Sequence, residues 1–172
     1  LQQQFDISKL VSLAFYDYLI SLGLSPKIKW PNDILINKKK IAGILIQNVV
    51  TNNIISHSVI GIGFNVNQHN FPQFSPLATS LSLELNKGQD CVEIRGKLLK
   101  SLTNRFKAYR KGDELERYYQ DALFLKDKIA NLQKGQLQFK GIIKGVNSNG
   151  LLQVEINKKV KEFTTQEVKF LF

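Results

Sequence analysis

The chain has 172 residues, 24 Lys and Arg against 14 Asp and Glu for a formal net charge of +10, and 43% hydrophobic residues. Such a length supports one sizeable core, or a medium domain with a small satellite, and no apolar run approaches the roughly 18–20 residues of a membrane-spanning helix. Its single cysteine, Cys91, excludes an internal disulfide, and no Cys/His cluster has zinc-ligand spacing, so a reducing, cytoplasmic setting is expected.

From Ile7 to Leu22, apolar residues recur at helical spacing, with Asp6 or Ser8 available as a cap and Gly23 as a stop. After Ser25-Pro26 come β-rich runs at Ile28–Trp30, Ile34–Asn37, Ile41–Val50 and Ile54–Phe64. Pro-Asn-Asp, Asn-Lys-Lys and Thr-Asn-Asn turns separate them, which predicts an antiparallel meander behind the helix.

NVNQHNFPQFSPLA, from Asn65 to Ala78, reads as a surface loop, with Ser75-Pro76 opening a short helix through Leu85 and Thr79 and Ser80 as capping residues. Helical spacing returns over Val92–Tyr109, with Ile94, Leu98, Leu99, Leu102, Phe106 and Tyr109 on one side, and over Asp113–Ala122. Both helices are expected to pack on the sheet's other elements.

Beyond Leu123, short strands follow at regular spacing: Lys128–Leu132, Leu137–Val146, Leu151–Ile156, Lys159–Thr164 and Glu167–Leu171. Their turns hold Lys134-Gly135, Asn149-Gly150 and Asn157-Lys158. The organisation is α+β, with a mixed or antiparallel sheet and packed helices over residues 1–122 and a small β-barrel or sandwich over 123–172.

The positive charge points to an anionic partner. It is spread along the chain, in short clusters such as Lys38–Lys40 and Lys158–Lys159, so nucleic-acid binding is a minority expectation. Lys38 and Lys39 fit a solvated hairpin tip.

Lys29-Trp30-Pro31-Asn32-Asp33 forms either a tight turn with an anchoring indole or a turn presenting a cation and a carboxylate together, able to divide a magnesium-nucleotide between them. Lys40 enters the run Ile41-Ala42-Gly43-Ile44-Leu45-Ile46, where small residues admit close approach and apolar ones can wall a pocket. An ammonium at that mouth could hold a carboxylate or phosphate. Gly61-Ile62-Gly63-Phe64-Asn65 marks either a bulge or close approach of a ligand, and it lacks the third glycine of a dinucleotide fingerprint. His57 and His69 have no triad partners.

Taken together and in order, KWPNDILINKKKIAGILIQ, VIGIGFNVN and ATSL resemble the biotin protein ligases, and the resemblance covers nearly the whole chain. It implies a class II synthetase-like core followed by an SH3-like β-domain. The activity implied is that of a biotin--[acetyl-CoA-carboxylase] ligase, which makes biotinyl-5'-AMP from biotin and ATP and passes biotin to a lysine of the biotin carboxyl carrier protein of acetyl-CoA carboxylase.

By the same resemblance, Lys40 and Lys29 are the catalytic cations. Lys40, Gly43, Leu45, Gly61 and Gly63 line the biotin site, Lys29, Asn32 and Asn65 the nucleotide site, and Asp33 faces Mg2+. A homodimer through an edge strand is also implied.

Gln47 stands where the family usually has an acidic residue. The family's Ser-Thr segment and Gly-Arg-Gly loop do not occur in these residues, which begin LQQQFDISKL without Met; a fragment lacking that loop, inert on its own, is therefore expected. Two alternatives are a non-catalytic biotin- or nucleotide-binding module and a lipoate-type ligase.

Overall fold

The computed structural model describes residues 4–52, 54–73 and 76–172. Helix α1 (Gln4–Ser21) buries Leu10, Val11, Ala14, Phe15, Tyr18 and Leu19, the stripe its spacing predicts. It starts ahead of Ile7, so neither Asp6 nor Ser8 caps it. The Asp6 carboxylate instead accepts from Lys9 Nζ and the Tyr109 hydroxyl, each at 3.1 Å. Gly23 ends the helix in the left-handed region, φ +79°.

Strands β1 (Pro26–Lys29), β2 (Asp33–Ile36), β3 (Lys39–Thr51) and β4 (Ile54–Phe64) pair in chain order as the expected antiparallel meander. Asn37 and Lys38 turn the β2–β3 hairpin with φ of +49° and +65°, the primed geometry that follows strand twist. Ile28, Ile34, Ala42 and Ile44 form the buried face against α1. Because side chains alternate along a strand, the register then sets Lys29, Asp33, Gly43 and Gly63 opposite one another across all four strands on the other face.

One irregularity decides where Lys40 points. Ile34 pairs with Ala42 but Leu35 pairs with Lys40, which leaves Ile41 as the extra residue of a β-bulge. Lys40 and Gly43, three apart, would face opposite sides of a regular strand; the bulge reverses that parity and brings the Lys40 side chain to the face that carries Asp33.

The helix expected from Ser75-Pro76 onward is confined to α2 (Leu81–Leu85); Ser75 lies outside the described residues. The preceding backbone is engaged elsewhere: Lys40 N donates to Leu77 O at 2.7 Å and Thr79 N to Lys40 O at 2.9 Å. Ser80 is the cap, accepting from Leu83 N at 3.4 Å, while the Thr79 hydroxyl donates to Glu84 at 2.6 Å.

Helix α3 (Cys91–Arg110), capped by Asp90, buries Ile94 and Leu98, but Leu99 and Phe106 are 57% and 54% exposed, so the six expected residues do not share one buried side. Leu99 follows Leu98 by about 100° around the helix and leaves the contact. The helix packs along α1, itself seated on the sheet, where the Ser101 hydroxyl donates to Ala14 O at 2.7 Å and Arg105 bridges Asp17 and Asp113.

Helix α4 (Leu115–Ala122) lies against α1 and β1. Its Tyr119 is 1% exposed, packs edge-on to Phe5, and has a hydroxyl without a hydrogen-bond partner among the described residues. Burial pushes that phenol's pKa up. An unsatisfied buried hydroxyl costs roughly 1–3 kcal/mol, so Tyr119→Phe is expected to leave stability unchanged or raise it by about 1 kcal/mol; a fall in the urea midpoint would contradict this.

Strands β5 (Ile129–Lys134), β6 (Leu137–Val146), β7 (Leu152–Ile156), β8 (Lys159–Phe163) and β9 (Lys169–Leu171) form an antiparallel sheet in the order β8-β7-β6-β5-β9. It joins the first sheet at β1, where Phe124 N donates to Ile28 O at 2.8 Å and Trp30 Nε1 to Gly150 O at 2.9 Å. Among the described residues, no helix is long and apolar enough to cross a membrane.

Candidate functional site

Lys29 ends β1, Asp33 opens β2 and Lys40 directly precedes the β3 bulge, and all three meet in a cavity of about 360 Å³ that Asn65, Phe71, Pro76 and Ala78 complete. The Asp33 carboxylate bridges the two ammonium groups: Oδ2 lies 3.0 Å from Lys29 Nζ and Oδ1 2.5 Å from Lys40 Nζ. The Lys29 and Asp33 side chains are only 12% and 10% exposed, whereas that of Lys40 is 41% exposed and opens toward solvent. Two cations against one carboxylate leave the cavity with a surplus positive charge, suited to an anionic ligand.

The glycines beside this cluster differ in what they do. A Cβ on Gly43 would stand 3.1 Å from Lys40 Nζ and 3.2 Å from its Cε, so Gly43 makes the space across which Lys40 reaches Asp33. Added Cβ atoms at Gly61 and Gly63 would come no nearer than 3.7 and 3.8 Å to other atoms. No bulge interrupts this part of the β3–β4 register, so the packing of the chain does not account for these two glycines. They and Leu45, 63% exposed opposite Gly61, form an open floor beside the charged cavity.

Asn32 and Asn65 are tied to the backbone. Asn32 Nδ2 donates to Ile44 O at 2.9 Å while Ile44 N donates to Asn32 O at 2.8 Å, which pins the turn to β3. Asn65 N donates to Ile41 O at 3.0 Å, and its Nδ2 reaches Thr79 O at 3.1 Å and Lys40 O at 3.5 Å, which holds the bulge.

The cavity's described residues build no all-protein cage for magnesium; an ion facing Asp33 would arrive with a nucleotide whose phosphates, with water, fill most of its coordination. Such an ion takes about six oxygen ligands, and this cavity supplies one carboxylate already shared by two ammonium groups. Among the described residues, no three His, Cys, Asp or Glu side chains gather to hold a metal. Lys38 and Lys39 lie exposed at the hairpin tip, and His57 Nδ1 lies 3.2 Å from the Ser56 hydroxyl.

Two contributors escape a reading of the first half of the chain. Lys29 Nζ lies 5.6 Å from the ring centroid of Phe170 and 6.0 Å from that of Phe172. The alternation in Lys169-Phe170-Leu171-Phe172 signals that the two rings share a face, but nothing in it names the cation they meet.

A model of the biotin/lipoate A/B protein ligase family matches residues 9–65, from α1 to Asn65 at the end of β4. The bifunctional ligase/repressor BirA of Bacillus subtilis is 30% identical over 157 residues, 86% of this chain and 47% of that protein. The biotin--[acetyl-CoA-carboxylase] ligase of Paracoccus denitrificans is 38% identical over 63 residues, 35% of this chain and 26% of that protein. The chain thus spans about half the length, or less, of these curated relatives.

Among solved structures, the biotin protein ligase from Aquifex aeolicus in complex with biotin and ATP superposes with a TM-score of 0.77 at 22% identity, over 97% of this chain and 71% of that one. Its apo structure gives 0.79 at 21% identity, over 99% and 76%. The match to the biotin/lipoate A/B protein ligase family is carried by residues 9–65, about a third of the chain. The proteins the chain resembles in sequence are the biotin ligases named above, and the biotin protein ligase structures share its fold.

Proposed function

We propose that this chain is part of an ATP-dependent biotin protein ligase acting in the cytoplasm on the biotin carboxyl carrier protein of acetyl-CoA carboxylase. The observation that carries this is the convergence of the Lys29 and Lys40 ammonium groups on Asp33 at the edge of the Gly43–Gly63 floor. In the first step a biotin carboxylate oxygen attacks the α-phosphorus of ATP and pyrophosphate leaves. In the second, the neutral amine of the carrier lysine attacks the acyl carbon, AMP departs with the acyl–oxygen bond electrons, and the amine loses its proton.

Lys40, the more exposed cation, bridges the biotin carboxylate and the reacting phosphate and offsets charge developing on their oxygens. Lys29 faces the phosphates, and Asp33 keeps both ammonium groups aimed while the cavity is empty of anions. Residues 123–172 are read as an SH3-like domain, and the outer edge of β4, which pairs with no described strand, suits a homodimer.

Gly61→Ala separates ligand contact from folding. Its Cβ has room, and alanine is favoured over glycine within a strand by roughly 0.5–1 kcal/mol. The variant is therefore expected to match or exceed the wild-type melting temperature while binding biotin at least about tenfold more weakly, a loss of ~1.4 kcal/mol. Unchanged biotin affinity by calorimetry would remove Gly61 from the site.

The whole reading is tested by incubating the chain with biotin, ATP labelled at the α-phosphate and a carrier domain. These 172 residues alone are expected to yield almost no biotinyl-AMP, because they contain no Gly-Arg-Gly loop and one missing oxyanion donor can cost roughly 10²-fold. Joined to the Ser-Thr and Gly-Arg-Gly segment of a relative, they should biotinylate the carrier, seen as a mass increase. The same missing loop favours a second reading, a non-catalytic biotin-binding module; that one predicts tight biotin binding and no transfer even after the segment is joined.

A further inference from the structure

We propose that Phe170 and Phe172 form an aromatic seat that positions Lys29, so that the second sheet sets the polyphosphate-binding cation of the cavity in the first. Lys29 is the more buried of the two cations, with a side chain 12% exposed, yet the one carboxylate it meets among the described residues, Asp33, is shared with Lys40. An ammonium has three protons to place and loses hydration on burial, so half a carboxylate is thin compensation. The two rings, 5.6 and 6.0 Å from Nζ, supply the rest through their negative faces.

The seat is fastened to the strand that carries Lys29. Phe124 N donates to Ile28 O at 2.8 Å, one residue before Lys29. The Phe124 ring stacks on Phe172 at 5.9 Å and 10° and tilts against Phe170 at 6.4 Å. Phe170 and Phe172 flank Leu171 at the end of β9, and β9 pairs with β5. A flexible four-carbon stem is thereby restrained from two sides, by Asp33 from its own sheet and by the rings from the other, which lowers the entropy lost when an anion binds.

The proposal uses the cavity as an anion site, as in the reading above, but its test needs no adenylation. The probe is inorganic pyrophosphate, titrated into the whole chain by calorimetry, with the Lys29 ε-methylene protons followed by NMR. Phe172 is 50% exposed and can be changed with little risk to the fold.

In wild type those protons should be shifted upfield by the rings. Phe172→Leu should move them toward solvent values and weaken pyrophosphate binding about threefold to tenfold. Phe172→Trp should retain both properties. In a Lys29→Met background, Phe172→Leu should have no further effect, which a merely structural role of the ring would not produce.

Lys29 protons at solvent values in wild type, absent pyrophosphate binding, or equal binding by wild type and Phe172→Leu would each overturn the seat. Loss of the seat with intact carrier biotinylation would leave the ligase reading standing. An intact seat with no biotinyl-AMP after the Gly-Arg-Gly segment is joined would sink that reading alone.

Discussion

Replacing Lys40 by alanine is expected to slow biotinyl-5'-AMP formation by about 10²-fold or more, the scale of removing one donor from developing charge. Stability should change by less than ~1 kcal/mol, because the Lys40 side chain is 41% exposed and an ion pair so close to solvent contributes little. The measurement is pyrophosphate release in the chain joined to a Gly-Arg-Gly segment, paired with a urea melt. Wild-type adenylation by Lys40→Ala would end its assignment, and a large stability loss would recast it as structural. Lys40→Arg should not rescue, since Gly43 leaves room for a slender ammonium lying 3.1 Å from where its Cβ would stand, and a planar guanidinium is broader.

Asp33→Ala should have the opposite profile, a large stability loss together with the functional one. It strips the shared counter-ion from Lys29, which is nearly buried, and from Lys40. Breaking a buried pair by removing one partner costs about 3–5 kcal/mol; here Lys40 can turn to water, so about 2–4 kcal/mol is expected, read from the urea midpoint. Adding Lys29→Met should recover part of it, because the uncompensated ammonium is then gone. A midpoint within error of wild type in Asp33→Ala would show that the cluster does not hold the turn. Equal losses in Asp33→Ala and Lys40→Ala would show that exposure does not govern the two pairs as argued.

The helix over residues 4–21, the four-strand meander and the five C-terminal strands were legible because each rests on local periodicity and turn chemistry. Strand ends differ by a few residues at most, as at β9, which starts at Lys169 where Glu167 was expected. No helix starts at Pro76, because the backbone of Leu77 and Thr79 pairs with Lys40 and a turn-breaking proline does not by itself start a helix. Leu99 and Phe106 stay outside the contact, because an apolar pattern does not say how wide a face the neighbour covers, and α1 covers a narrow one.

Lys29, Asp33 and Lys40 stand out by their turn and strand neighbours and by the resemblance, as two faces of one site. The bulge at Ile41 and the Gly43 gap bring them onto a single carboxylate.

The elements, their order and the residue types of the candidate site are readable from the sequence, since these depend on neighbours within a few positions along the chain. Only the tertiary structure decided which way Lys40 points and that Asp33 serves two cations. It likewise decided that Trp30 binds the Gly150 turn and that rings from the end of the chain sit over Lys29. The physical reason is that strand parity, bulge position and cross-sheet contact are properties of pairing between distant segments, and one extra residue in a ladder reverses the face of every side chain beyond it.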